Sequence, residues 1–203
     1  MSPHKPHFHS ARLHLRPVTE TDAPHLCALD ADDEVRRHLD QLAPPTLQAI
    51  QNEMIPRWQT YDRQTPATGF WIAELFDQYQ FAGWFHLRSP KSESPLRPDD
   101  LELGYRLRRD CWNKGLATEG SRVLMHYAFN TLRAPRVAAT ALQANTASIQ
   151  VMKKLGMRLD VEWLYKADMP AVAYAITAGE WERQRDAQPN IAAPGENCPK
   201  CRN

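Results

Sequence analysis

No apolar run in the 203 residues approaches the roughly 20 that a membrane-spanning helix needs, so no such helix is expected. Net charge is nearly absent. A formal +1 argues against a nucleic-acid partner held by bulk phosphate neutralisation. The first nine residues, Met1 to His9, lack the apolar core of a secretory signal, so a cytoplasmic location is expected. Cysteine is scarce. Cys27 and Cys111 stand singly within structured stretches, and Cys198-Pro199-Lys200-Cys201 is one CxxC in a polar tail, without the second pair of a structural zinc site. The tail is therefore read as inert or intermolecular, and no metal is expected; His4, His7 and His9 are read as part of a solvated arm. Two glycine-rich phosphate motifs are missing as well. No GxxxxGK[ST] occurs, and no GxGxxG follows the first strand, so the P-loop and the dinucleotide fold are both rejected.

What remains has the composition of one soluble domain, 42% apolar and 24% charged, with a real core. Residues 1–10 are polar and rich in proline and histidine, and are expected to be disordered, as is the tail 189–203; the domain spans 11–188. Residues 11–17 alternate as a strand that Pro17 ends. Short helical pieces are expected at 19–29 and 33–39, and a longer helix from Thr46 to about Arg63 with Leu47, Ile50, Met54 and Trp58 on one face. Residues 68–74 and 80–87 read as a hairpin. The segment 89–100, with three prolines and three serines, is a long loop that either makes a solvated excursion or walls a substrate site. Strand 101–107, a helix from Leu116 to Leu132 and strand 136–142 form a right-handed strand–helix–strand unit, so the two strands should be parallel. A helix follows at Asn145, with Gly156 just past its end. A hairpin of 159–166 with 170–177 and a closing helix at 179–188 complete a mixed α/β sheet flanked by helices.

The stretch that organises this chain is the strand, loop and helix around Arg108 to Gly120. A helix start leaves its first-turn N–H groups unpaired, and with the positive end of the helix dipole these form an anion site. Gly115 and Ala117 leave room for a phosphate, and Lys114, Arg108 and Arg109 add charge.

Trp112-Asn113-Lys114-Gly115-Leu116-Ala117-Thr118-Glu119 is similar to the acetyl-CoA pyrophosphate loop, [Q/R]xxGx[G/A], of the GNAT N-acetyltransferase superfamily. Arg12-Leu13-His14-Leu15-Arg16-Pro17, Glu102-Leu103-Gly104-Tyr105, Asn145-Thr146-Ala147-Ser148, Lys154-Leu155-Gly156-Met157 and Tyr174-Ala175-Ile176 resemble its RimJ/RimL-type branch in the same order. Trp112 stands where the general motif has Gln or Arg. The resemblance covers about residues 11–185. It implies a single GNAT-like domain whose mostly antiparallel sheet splays at the central parallel strand pair, with the pantetheine arm of acetyl-CoA lying in the gap as an added strand. It further implies that Leu107 supplies backbone groups to that arm, that Trp112, Asn113, Lys114, Gly115, Leu116, Ala117 and Thr118 form the pyrophosphate loop, and that Asn145 bonds the pantetheine chain or only caps its helix.

The activity so implied is transfer of an acetyl group from acetyl-CoA to a primary amine, by direct attack in a ternary complex. Ser148, one turn beyond Asn145, would donate to the leaving sulfur or merely cap the helix, and no tyrosine follows it at the distance usual in the superfamily. Glu102 would be the general base, unless an arginine such as Arg106 pairs with it; Glu162 and Asp168 are weaker choices. Trp58, Tyr61, Trp71, Trp84 and Phe85 are candidates for an acceptor wall or for core, and Asp30, Asp32, Asp33 and Glu34 for an acidic rim. The acceptor is a small-molecule amine or a protein N-terminus, and a homodimer is the assembly to test. A non-catalytic acyl-CoA-binding or partner-binding module on the same fold is the alternative.

Overall fold

The structure, a computed structural model, describes residues 5–39, 43–65, 67–77, 79–166 and 168–187. The expectations for the 189–203 tail, with Cys198 and Cys201, and for His4 fall outside these residues. Alternating apolar positions become strands β1 (Phe8–His9), β2 (Leu13–Pro17), β3 (Gly69–Leu75), β4 (Gln80–Arg88), β5 (Leu101–Leu107), β6 (Arg136–Leu142), β7 (Arg158–Tyr165) and β8 (Met169–Thr177). Helices are α1 (Ala23–Ala31), α2 (Asp33–Arg36), α3 (47–64), α4 (116–131), α5 (Thr146–Lys154) and α6 (Ala178–Ala187). Pro56 has no N–H to give to the helical ladder, and the turn just before it, Ile50–Met54, widens to π spacing.

Among the described residues the eight strands form one sheet in the order β1-β2-β3-β4-β5-β6-β8-β7. Neighbours are antiparallel except β5 and β6, which run parallel as the crossover through α4 requires. That pair is joined only at Leu101↔Val137 and Glu102↔Ala138. Beyond it β6 stays with β8 as far as Leu142↔Ala171, so residues 103–107 of β5 present an unpaired edge to a gap. The splayed sheet expected from the motifs is present. Arg136 sits at the closed end of the V, buried, donating from Nη1 to both carboxylate oxygens of Asp100 at 3.2 Å and pairing through Nη2 with Asp160 on β7. It ties the starts of β5, β6 and β7 together.

Core clusters among the described residues lie on both faces of the sheet. On one, α4 packs through Leu116, Val123, Leu124 and Met125 on Leu13, Leu15, Trp71, Phe85, Leu87, Leu103 and Leu107. Gly120 lets the helix lie directly on the Phe85 ring, where an added Cβ would come within 2.4 Å. On the other face α1 and α3 pack through Leu26, Leu29, Ile50, Ile55 and Trp58 on Ile72, Phe81 and Trp84. Of the five aromatics weighed as acceptor wall or as core, four are core residues divided between these faces, and Tyr61 stands edge-on to Phe70. Trp71 and Phe85 belong to the α4 face, while Trp58 and Trp84 belong to the α1/α3 face, because neighbours along a strand alternate sides.

From Lys5 onward, the N-terminal segment departs from the expected disordered arm. Phe8 pairs with Leu15 and packs at a tilt against Trp71 and Tyr127. Trp71 Nε1 donates to the Pro6 carbonyl at 2.9 Å, and Lys5 reaches Asp62 at 2.6 Å. His9 lies face to face with His14 at 4.6 Å, and His7 stacks on the same ring at 5.3 Å. The partners come from β2, β3, α3 and α4, so a polar, proline-rich composition was a poor guide to order in this segment.

Candidate functional site

Leu116 begins α4 immediately after Gly115, whose φ of +78° turns the chain into the helix. A φ of +58° at Asn113 makes a second left-handed step, so the loop curls back on itself. No side chain caps this helix start, and its first-turn N–H groups have no helical carbonyl to reach. Asn113, Lys114 and Gly115 are exposed, whereas the Leu116 and Thr118 side chains turn inward, leaving the backbone as the outward surface. Trp112 is half-buried in the core and donates Nε1–H to the Leu107 carbonyl at 2.9 Å. Its indole braces the loop against the end of β5. Of the three nearby cations, Arg108 is already committed to Asp110 and to the Phe81 carbonyl, which leaves Lys114 and Arg109 as the exposed charges.

Three residues overlooked in the sequence hold this loop. Arg12 donates from Nε to Glu119 Oε2 at 2.7 Å and from Nη1 to the Lys114 carbonyl at 2.8 Å. Ser10 Oγ and the Arg12 backbone N–H both donate to Glu119 Oε1. The turn leading into β2 thus clamps the loop and the first turn of α4. The RL-x-L-RP stretch signalled this only as a strand.

The gap opened by the splay runs from this helix start to the beginning of α5. There Asn145 Oδ1 accepts the Ser148 backbone N–H at 3.1 Å, so the capping role expected for Asn145 is filled by its oxygen, leaving its amide nitrogen for another partner. Ser148 Oγ accepts from Tyr105 Oη at 3.4 Å. Tyr105 rises from the unpaired edge of β5, and burial pushes its phenol above the ordinary tyrosine value. A tyrosine does stand beside Ser148, then, on β5 rather than downstream of it. The alternation Leu103, Tyr105, Leu107 points it toward α5, a signal visible once the strand is drawn.

Glu102, Gly104 and Arg106 point to the opposite face. Glu102 is buried, pairs through Oε2 with Arg88 directly across on β4, and accepts a long bond of 3.4 Å from Thr140 Oγ1. Burial raises its carboxyl, while Arg88 and Lys91 pull it back. Pairing with an arginine was foreseen, but Arg106 is engaged elsewhere, with Asp30 and over the Trp84 ring. Asp32 caps α2 and Glu34 pairs with Arg37, so three of the four acidic candidates have local partners. Glu162 and Asp168 are exposed on the β7–β8 hairpin. In the 89–100 loop, Leu96 is buried on Ala138, the partner of Glu102, which brings the loop alongside this face.

A cavity of about 590 Å³ opens between α1–α2 and Arg108, Arg109 and Asp110, with His25, Asp32 and Phe81 in its wall. None of Glu102, Tyr105, Asn145 or Ser148 lines it, so it adjoins the anion loop without being the place where these side chains meet. No group of three or more metal-binding side chains occurs among the described residues. None of their helices is long and apolar enough to cross a membrane.

The family model described as "Acetyltransferase (GNAT) domain" matches residues 12–158. The chain is 32% identical over 193 residues to the FsC-acetyl coenzyme A-N(2)-transacetylase of Aspergillus fumigatus, covering 89% of this chain and 80% of that protein. A GNAT-family acetyltransferase from Bacillus anthracis superposes with a TM-score of 0.73 at 20% identity, over 86% of this chain and 99% of that one. RimL, a ribosomal L7/L12 alpha-N-protein acetyltransferase solved in complex with coenzyme A, superposes with a TM-score of 0.67 at 17% identity, over 83% and 95%.

Proposed function

Because this chain belongs to the GNAT acetyltransferase family, we propose that it moves an acetyl group from acetyl-CoA to a primary amine by direct attack in a ternary complex. The observation that carries this is the V between β5 and β6, whose open edge leads to an uncapped helix start. The pyrophosphate sits on the backbone N–H groups of residues 113–118, with Lys114 adding charge. The pantetheine arm extends along the edge of 103–107, and the Asn145 amide bonds to it. The residues present fit that group: the loop offers N–H donors without competing caps, and the strand edge has no partner. Because the Leu107 carbonyl is taken by Trp112, more of the strand bonding falls to Tyr105 and its neighbours.

Holding donor and acceptor in line supplies the larger share of rate, of order 7–11 kcal/mol. Tyr105 and Ser148 donate toward the departing sulfur. Burial keeps the Tyr105 phenol protonated, which suits a donor. On the other face Glu102, held by Arg88, accepts a hydrogen bond from the incoming nitrogen, and the 89–100 loop walls that side. The name of the 32%-identical relative describes transfer to an N(2) nitrogen, which favours a small-molecule amine over a protein N-terminus as acceptor.

A thiol-release assay with acetyl-CoA and a panel of amines tests the reading. Turnover with at least one small amine is expected, with Ser148→Ala and Tyr105→Phe each lowering kcat more than cofactor affinity. Tight coenzyme A binding without turnover on any amine would instead indicate a binding module.

A further inference from the structure

On the α1/α3 face, β4 and β5 make three cross-strand pairs: Arg88 with Glu102, His86 with Gly104, and Trp84 with Arg106. The outer two are satisfied, one by an ion pair and one by a cation–π contact. The middle one is unusual. Both ring nitrogens of His86 are buried, and neither has a hydrogen-bond partner among the described residues. The imidazole packs beside Trp84 and edge-on to Phe70, and it lies over Gly104, where a Cβ would meet the ring at 2.5 Å. Buried polar atoms are normally paired, so two orphans on one ring point to a partner that arrives from outside.

The position says which partner. Gly104 is the second residue past the last β5–β6 pair, so the His86 ring lies over the stretch of β5 where the gap begins to open. It occupies the face opposite Tyr105 and Ser148, since side chains alternate along β5. A thioester lying along the β5 edge would have its sulfur served from the Tyr105 side and its carbonyl carbon open toward His86. Resting on the acetyl-transfer reading above, we propose that His86 is the group that takes the proton from the attacking amine nitrogen, with Glu102 anchoring Arg88 beside it.

The amine lone pair attacks the carbonyl carbon and forms the C–N bond. As the C–S bond breaks, its electron pair goes to sulfur. The nitrogen's proton passes to His86, sulfur receives one from Tyr105 and Ser148, and solvent returns the proton from imidazole to phenolate. A neutral imidazole suffices, because a nitrogen bonded to the carbonyl carbon is far more acidic than a free ammonium. The charged groups facing His86 keep it neutral. Burial, with Arg88, Lys91 and Arg106 nearby, holds it well below the ordinary histidine value, and the carboxylates Glu102 and Asp30 are each paired with one of those arginines.

The test compares wild type, His86→Gln, Gly104→Ala and Glu102→Gln in the thiol-release assay across pH, with acetyl-CoA affinity measured by calorimetry. His86→Gln should bind acetyl-CoA like wild type while kcat falls roughly a hundred- to ten-thousand-fold. After correction for the acceptor amine's own protonation, the acid limb of kcat/KM should vanish in His86→Gln and persist in Glu102→Gln. Gly104→Ala, which displaces the imidazole without removing it, should lower kcat by more than any loss of acetyl-CoA affinity along the strand edge; it carries the test if His86→Gln does not fold. An active wild type whose kcat survives His86→Gln, or whose acid limb disappears with Glu102→Gln, overturns the assignment alone. A wild type that turns over no amine overturns the acetyl-transfer reading with it.

Discussion

Replacing Arg136 by methionine removes the cation that two carboxylates share at the closed end of the V. The Asp100 side chain is 0% exposed, whereas Asp160 is 26% exposed and can turn to water, so the penalty falls mainly on Asp100. Breaking a buried pair from one side typically costs about 3–5 kcal/mol, because the remaining charge stays desolvated. Asp100 retains one bond, from the Arg97 backbone N–H at 2.9 Å, which places the expected loss near the lower end, about 3 kcal/mol. For a domain of this size each kcal/mol lowers Tm by about 2–4 °C, so Arg136→Met should melt roughly 6–12 °C below wild type by calorimetry. Asp100→Asn combined with Arg136→Met leaves no buried charge and should recover a large part of that loss. If the single variant melts with wild type, or the double variant is no more stable than the single, the uncompensated carboxylate is not the cause.

Gly120→Ala pits helix propensity, worth up to about 1 kcal/mol in favour of alanine, against a Cβ placed 2.4–2.9 Å from the Phe85 ring. Overpacking typically costs about 1–3 kcal/mol, so the variant should be less stable in urea titration; a gain would show that α4 can lift off the sheet. The N-terminal strand should loosen in acid. Burial, with His14 beside both and Arg16 near His7, lowers the proton affinity of His7 and His9 in the fold. Unfolded, they bind protons more readily, so their contribution is present above the ordinary histidine value of about 6.5 and is lost as pH falls through it. Hydrogen exchange of residues 8–15 should speed up between pH 7.5 and 5.5 more than exchange in β6, and equal change in both would refute the link.

The organising unit was legible because each step has a local cause. Gly115 and Gly156 occupy positions of positive φ, Asn145 caps its own helix, and a parallel strand pair follows from a strand–helix–strand order. What escaped depended on residues distant in sequence. Ser148 meets a tyrosine 43 positions earlier, and Arg12 reaches Glu119 across 107. The order of residues 5–10 rests on Asp62, Trp71 and Tyr127. Glu102, singled out as a general base with Arg106 as its possible partner, is buried and pairs with Arg88, set by antiparallel register rather than by proximity along β5. The same register placed His86 over Gly104, a relation that neither residue announces alone.

Whether the uncapped start of α4 holds the pyrophosphate of acetyl-CoA is tested most directly by calorimetric titration of wild type and Gly115→Glu with acetyl-CoA. Gly115 has φ +78° and faces solvent beside the Arg12 guanidinium, so glutamate there adds backbone strain and places negative charge at the anion site. Saturable binding by wild type and none by a Gly115→Glu variant that melts as a folded protein is the predicted result. Equal affinity in the two proteins would mean that the phosphates lie elsewhere.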